Sequence, residues 1–252
     1  MEIIFMGTAS AAGSIERDNT YLLLRSGEAR WLIDVGGNPL GKLKQSRTPL
    51  DHIQGVILTH MHTDHMYGLA SLLWGMWVGG RRAALTIHCS SAGGEQLRAI
   101  LKAYQVESWP IGFELRIETF DWEKENVLLH ESGLELSTFP SLHAIPTVGI
   151  KAVTAEGKVM IYSADTRPNE RIVQEPRIDL LIHEATKARG VMTSHTSLED
   201  VIRYCPVERI GQVYCVHLTD DEPYLEVLEQ YRNQVQGAEK VRLAEDMLLI
   251  SL

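Results

Sequence analysis

The chain predicts an α/β fold in which two sheets pack face to face with helices outside. Three observations carry that expectation: strand-like apolar runs fall into two sets, helix-patterned segments are interspersed among them, and no linker rich in proline, glycine or serine divides the sets. With 252 residues, 44% of them hydrophobic and 23% charged, the length supports a large core and is expected to form one domain, residues 1–252.

The elements follow in order. Strands are expected at Glu2 to Met6, Tyr21 to Arg25 and Arg30 to Val35, separated by glycine and polar turns, and a fourth at Gly55 to Thr59. From His65 to about Gly79 the chain is apolar on most faces, which suits a helix packed under its neighbours, with Trp74 and Trp77 expected in the core. Ala84 to Cys89 and Glu114 to Thr119 read as strands flanking a helix at about Ala92 to Tyr104. Asn126 to His130 and Leu134 to Phe139 extend the strand-rich middle. The second half offers strands at Thr147 to Val153, Lys158 to Ser163, Leu180 to Glu184, Gln212 to His217 and Met247 to Leu252. Its helices are expected near Pro168 to Val173, Ser197 to Tyr204 and Asp221 to Tyr231, with Pro168 in an early helical turn. No repeat of fixed period and no low-complexity tract is present.

Composition narrows the function. The 33 acidic residues outnumber 24 basic ones, giving a formal charge of −9 that repels long polyanions, although bound cations would make a site locally positive. Long nucleic acid is therefore not the expected partner, and a small anionic substrate is. No basic amino-terminal region precedes an apolar stretch and no run of about 18 apolar residues occurs, so a cytoplasmic protein without membrane association is expected. Cys89, Cys205 and Cys215 are odd in number and unpaired in spacing, and read as buried thiols.

The chemistry is concentrated in six residues. His60, His62, Asp64 and His65 directly follow the apolar run Gly55 to Thr59. Alternate residues of an extended strand share a side, so His60 and His62 can converge on one cation while Asp64 and His65, at the next turn, face a second. A histidine-rich surface loop is the plain alternative, but three histidines and an aspartate in this register outweigh it. Further donors stand where other apolar strands finish: His143, Asp165 and His217. Taken together they complete a dinuclear centre, with His60, His62 and His143 at one metal, Asp64, His65 and His217 at the other, and Asp165 bridging. A shared water or hydroxide then serves as nucleophile, and no protein nucleophile is required.

The run Thr59-His60-Met61-His62-Thr63-Asp64-His65-Met66-Tyr67-Gly68-Leu69, followed by His143, Asp165 and His217, resembles the metallo-β-lactamase superfamily over nearly the whole chain. That resemblance implies a four-layer αββα sandwich with the dinuclear site at one edge, holding two divalent metal ions: Zn2+ first, with Mn2+ or Fe as alternatives. Tyr162-Ser163-Ala164-Asp165-Thr166, His183-Glu184-Ala185-Thr186 and Ser194-His195-Thr196-Ser197 are similar to motifs of its ribonuclease Z and cyclic phosphodiesterase branch. By that likeness Glu184 and His195 form a proton-delivery couple, and Asp64, Glu184 and His195 are the candidate catalytic residues. Only 21 residues separate His143 from Asp165, too few for the arm with which ribonuclease Z grips transfer RNA. The expected activity is a metal-dependent phosphodiesterase acting on a small phosphodiester or short nucleotide, and a homodimer is compatible with it. The competing readings are a carbonyl-ester hydrolase on the same metals (lactone, thioester or β-lactam) and a non-catalytic metal-binding regulator. His52, His88, His130 and His183 are not needed by the metal count and are read as structural.

Overall fold

A computed structural model describes residues 1–131 and 133–252. Six strands, β1 (Glu2–Gly7), β2 (Tyr21–Ser26), β3 (Ala29–Ile33), β4 (Gly55–Ile57), β5 (Leu85–Ser90) and β6 (Leu115–Phe120), lie side by side in chain order. The next seven, β7 (Asn126–Glu131), β8 (Leu134–Pro140), β9 (Val148–Thr154), β10 (Val159–Tyr162), β11 (Leu180–Glu184), β12 (Gln212–Val216) and β13 (Val241–Leu243), form a second sheet. The last strand, β14 (Leu249–Ser251), returns antiparallel to β1, so each sheet has seven strands.

Each sheet joins an antiparallel region to a parallel one. In the first sheet β1, β2 and β3 are antiparallel neighbours, and β3 to β6 run parallel. In the second, β7 to β10 alternate and β10 to β13 run parallel. Strands buried on both faces read as continuous apolar runs, which is why Leu180-Leu181-Ile182 and Val213-Tyr214-Cys215-Val216 show no alternation. Phe5, Leu22, Ile33, Leu136, Ile150, Met160 and Ile182 fill the layer between the sheets. Two further apolar clusters lie under the outer helices, making the αββα sandwich expected from the sequence.

The helices are α1 (Pro39–Gln45), α2 (Thr63–Met66), α3 (Leu69–Val78), α4 (Gly94–Ala103), α5 (Glu170–Gln174), α6 (Leu198–Tyr204) and α7 (Tyr224–Arg232). Five features depart from expectation. The helix expected over His65 to Gly79 is broken at Tyr67 and Gly68, where the Gly68 N–H donates to the Val35 carbonyl and a Cβ would stand 2.5 Å from that oxygen. Trp74 is 47% exposed instead of buried in the core. Pro168 precedes α5, whose true cap is Asn169, its side chain accepting from the Arg171 N–H. Helix α1 and strand β13 were not anticipated. All three cysteines are buried free thiols. Among the described residues no helix is long and apolar enough to cross a membrane.

Asp179, just before β11, ties two parallel strands together by accepting from the Val159 N–H at 2.9 Å and from Arg177 Nε at 2.8 Å. Burial pushes its carboxyl up, but the bonds from Arg177, Val159 and Lys158 outweigh burial and hold it at about 2. Because the folded value lies below the roughly 3.9 of an unfolded aspartate, its contribution is complete above pH about 4 and is lost as pH falls through about 2. Asp179→Asn should cost about 1 kcal/mol in urea unfolding at neutral pH, allowing for solvent screening. That deficit should shrink on acidification; a pH-independent deficit would show that the charge plays no part.

Candidate metal centre

The candidate residues all stand at one edge of the sandwich, past the carboxyl ends of strands, where open α/β sheets place their ligands. Strand β4 leads to His60 and His62, β10 to Asp165, β11 ends on Glu184, and β12 leads to His217. Strand β8 is separated from β10 by the antiparallel β9, so it points the same way and delivers His143 to the same edge. Helix α2 starts directly after His62 and carries Asp64 and His65. A tight approach fixes this turn: a Cβ on Gly36 would stand 1.9 Å from the Asp64 carbonyl oxygen, so only glycine fits.

The seven side chains, with His195, fall into three groups able to hold a cation: His60, His62, His143 and Asp165; Asp64, His65 and His217; and Asp165, His195 and His217, which joins the other two. His62 Nδ1 lies 3.1 Å from both His60 Nε2 and His143 Nε2. Asp64 Oδ2 lies 3.3 Å from both His65 Nε2 and His217 Nε2. Asp165 stands between the groups, with Oδ2 3.6 Å from His60 and 3.5 Å from His217, and Oδ1 3.4 Å from His65. Donors held at about 2.0–2.1 Å in a tetrahedron around one ion are roughly 3.3–3.4 Å apart, so these spacings suit shared cations. Among the described residues, buried His65 Nε2 and Asp165 Oδ1 have no hydrogen-bond partner, a costly arrangement that a cation would relieve.

Electrostatics agree. Burial alone would raise the Asp165 carboxyl, yet the charges of His217 and His65 hold it well below its ordinary range. For His65 burial acts downward, and Asp165 and Asp34 lift it well above the usual imidazole value. His60 is pushed well below by burial and by its histidine neighbours. A divalent cation among these carboxylates and imidazoles would take the place of the protons they otherwise share.

The far ring nitrogen of four of these histidines is held. His143 Nδ1 donates to the Ser194 carbonyl at 2.7 Å, and His217 Nδ1 to the Thr186 hydroxyl at 2.8 Å. His65 Nδ1 donates to Asp34 Oδ2 at 2.9 Å, and His60 Nδ1 to the Thr59 hydroxyl at 3.0 Å. That hydroxyl in turn donates to Asp34. Each bond leaves Nε2 bare and aimed inward, the tautomer a metal needs. Asp34 therefore orients His65 directly and His60 through Thr59, a role the sequence reading missed. Its signal was an acid inside the strand-like run Trp31-Leu32-Ile33-Asp34-Val35, fully buried at 0% exposure. Asp34→Asn should weaken metal affinity about 10–100-fold while the fold persists, as read by titration against a chromophoric chelator. Unchanged affinity would remove Asp34 from the site.

Beside the cluster, Glu184 is 1% exposed and accepts four bonds: from the N–H groups of Thr166 and Thr186, the Thr186 hydroxyl, and His195 Nδ1 at 2.9 Å. Burial works against protonation of His195, but the bond and charge of Glu184 outweigh it and raise the imidazole above its ordinary value. Its ring stacks 5.4 Å from that of His217. The Thr186 hydroxyl joins Glu184 to His217, a second link not anticipated from sequence. The other histidines lie apart: His52 and His130 are exposed, His88 packs on Trp31, and His183 is buried between the Glu184 carbonyl and the Tyr204 hydroxyl.

Fold and site together define a metal-dependent hydrolase of the metallo-β-lactamase superfamily, similar to ribonuclease Z. The metallo-β-lactamase fold protein YhfI of Bacillus subtilis superposes with a TM-score of 0.80 at 19% identity, covering 99% of each chain. The short form of human tRNase Z gives 0.77 at 22% identity, covering 100% of this chain and 99% of that one. Ribonuclease Z of Halalkalibacterium halodurans is 23% identical over 297 residues, covering 94% of both proteins. The chain belongs to the family described as anti-Pycsar protein Apyc1, whose model matches residues 1–239.

Proposed function

We propose that the chain is a phosphodiesterase acting on small phosphodiesters or short nucleotides, with His60, His62, His143, Asp64, His65, His217 and Asp165 as the residues that would hold two divalent ions. The ion expected is Zn2+, with Mn2+ or Fe as alternatives. The observation that carries this reading is the hydrogen bond between buried Glu184 and His195 immediately beside the His/Asp cluster. Expulsion of a poor alkoxide from phosphorus requires a proton at the departing oxygen, and this couple is placed to supply it.

Bound divalent ions supply Lewis-acid charge for the phosphoryl oxygens and a water acidic enough to act at neutral pH. The chain's own residues do the remainder. Glu184, fixed by three donors besides His195, charges and orients the imidazole through Nδ1 and leaves Nε2 for the departing oxygen. Asp34, Thr59, Thr186 and the Ser194 carbonyl hold the ligand rings so that they need not reorganise during the reaction.

Two features support a small substrate. The residues between His143 and Asp165 are consumed by β9, β10 and their turn, which leaves no segment for an RNA-gripping arm. The formal charge of −9 also opposes binding of a long polyanion. The test is elemental analysis combined with a panel of phosphodiesters, lactones and thioesters on one purified sample. Two metals per chain and turnover of phosphodiesters are expected. Carbonyl esters cleaved without any phosphodiester would overturn the assignment, and bound metal with no turnover across the panel would favour a regulatory binder.

A further inference from the structure

Among the described residues, seven other than glycine hold a left-handed backbone, and three of these stand within two residues of strand ends at the metal edge: Asp34 (φ 62°) past β3, Ala164 (φ 49°) past β10 and His217 (φ 59°) past β12. All three are buried. A Cβ disfavours this conformation, and a residue keeps it only where its surroundings over-determine it. Asp34 is fixed by its own carboxylate on Thr59 and His65. For His217 the anchor comes from a distant part of the chain.

The turn matters because of where β12 would otherwise send the side chain. Val213 and Cys215 face the outer helices, while Tyr214 and Val216 face the layer between the sheets. Plain alternation would turn residue 217 outward with Val213 and Cys215. The left-handed φ instead brings its ring over the edge, with Nε2 3.3 Å from Asp64 Oδ2 and 3.5 Å from Asp165 Oδ2.

The stretch before β2 grips this turn. The Leu218 N–H donates to the Thr8 carbonyl and the Ser10 N–H to the Leu218 carbonyl, both at 2.9 Å. Those bonds join backbone to backbone and do not depend on a side chain. The third does: the His217 N–H donates to the Thr20 hydroxyl at 3.0 Å, and that hydroxyl donates to the Ala9 carbonyl at 2.9 Å. Thr20 immediately precedes β2 of the first sheet and His217 follows β12 of the second, so the bond crosses between sheets. Thr20 is 1% exposed, and bulk water does not compete for it.

We propose that Thr20 is a positioning residue for the metal centre: its hydroxyl pins the His217 backbone in the turn that aims the imidazole at Asp64 and Asp165. Thr186 holds the ring at Nδ1 and Thr20 holds the backbone beneath it, so His217 is located at both ends. The proposal rests on His217 being a ligand and adds the group that fixes it.

The test titrates the metal-free full chain with Zn2+ against a chromophoric chelator, beside thermal unfolding of the same metal-free samples. His217→Ala identifies which of the two binding steps depends on His217. Thr20→Val, which keeps the shape and removes the acceptor, should weaken that step about 10–100-fold and the other by less than about threefold. Thr20→Ser keeps the hydroxyl and should restore the step to within about threefold of the unaltered protein. Should the valine variant fail to fold, Thr20→Ala is held to the same selective loss. A lower melting temperature with both steps unchanged, an equal loss at both steps, or a loss that Thr20→Ser does not restore would overturn the proposal, since each describes a residue that serves the fold alone. A step that His217→Ala weakens and Thr20→Val does not would sink Thr20 and keep the ligand set; no change in His217→Ala would sink the ligand assignment and the proposal with it.

Discussion

Asp165→Asn should lower turnover of any phosphodiester by about 10³-fold or more and leave the purified protein with fewer than two metals per chain. Both carboxylate oxygens are committed: Oδ1 faces His65 at 3.4 Å, and Oδ2 faces His60, His143 and His217 within 3.8 Å. An amide has one oxygen to offer and no charge, so it cannot serve both groups of histidines. Its NH2 would also point donors at imidazole nitrogens that need a cation. Elemental analysis beside a turnover assay decides the matter, and a variant that keeps two metals and near-normal rates would show that Asp165 does not bridge.

His195→Ala should separate substrates by leaving group. Esters that expel an alkoxide should slow by about 10²–10⁴-fold, the range supplied by a positioned general acid. Nitrophenyl esters, whose leaving group departs without a proton, should slow by less than about 10-fold. Glu184→Gln should follow the same pattern more weakly, because it removes the charge behind the 2.9 Å bond to His195 and leaves the imidazole in place. Equal losses on both ester types would assign His195 to substrate positioning.

The parts of this architecture that show in the sequence are those encoded locally. His60, His62, Asp64 and His65 sit within six residues, and Leu180-Leu181-Ile182 is apolar without interruption, so each is legible from its own neighbours. His143, Asp165 and His217 were legible for a different reason, since each terminates an apolar run whose end the fold brings to one edge. Asp34 was hidden because its role arises only when β3 and β4 pair and place Thr59 and His65 beside it. Strand β13 has three residues, and its pairing with β12, not its own composition, makes it a strand. The break at Tyr67 and Gly68 was masked by apolar residues that continue through it, and only the approach of Val35 reveals it. Helix α1 did carry a start signal, Asn38 followed by Pro39, but it buries only Pro39 and Leu43, too little for a periodic pattern.

Placing every reactive group at one edge of the sandwich leaves the opposite edge free of chemical duty. The turns there, around Gly27 between β2 and β3 and around Gly157 between β9 and β10, join neighbouring antiparallel strands at the ends remote from Asp34 and Asp165. A change in their length or composition acts on folding and leaves the reactive edge in place. A fluorescent reporter or affinity module spliced into either turn would meet none of the residues that touch substrate. The same separation lets a lineage remodel what it recognises, by exchanging loops at one rim, without re-solving the problem of how the two sheets pack.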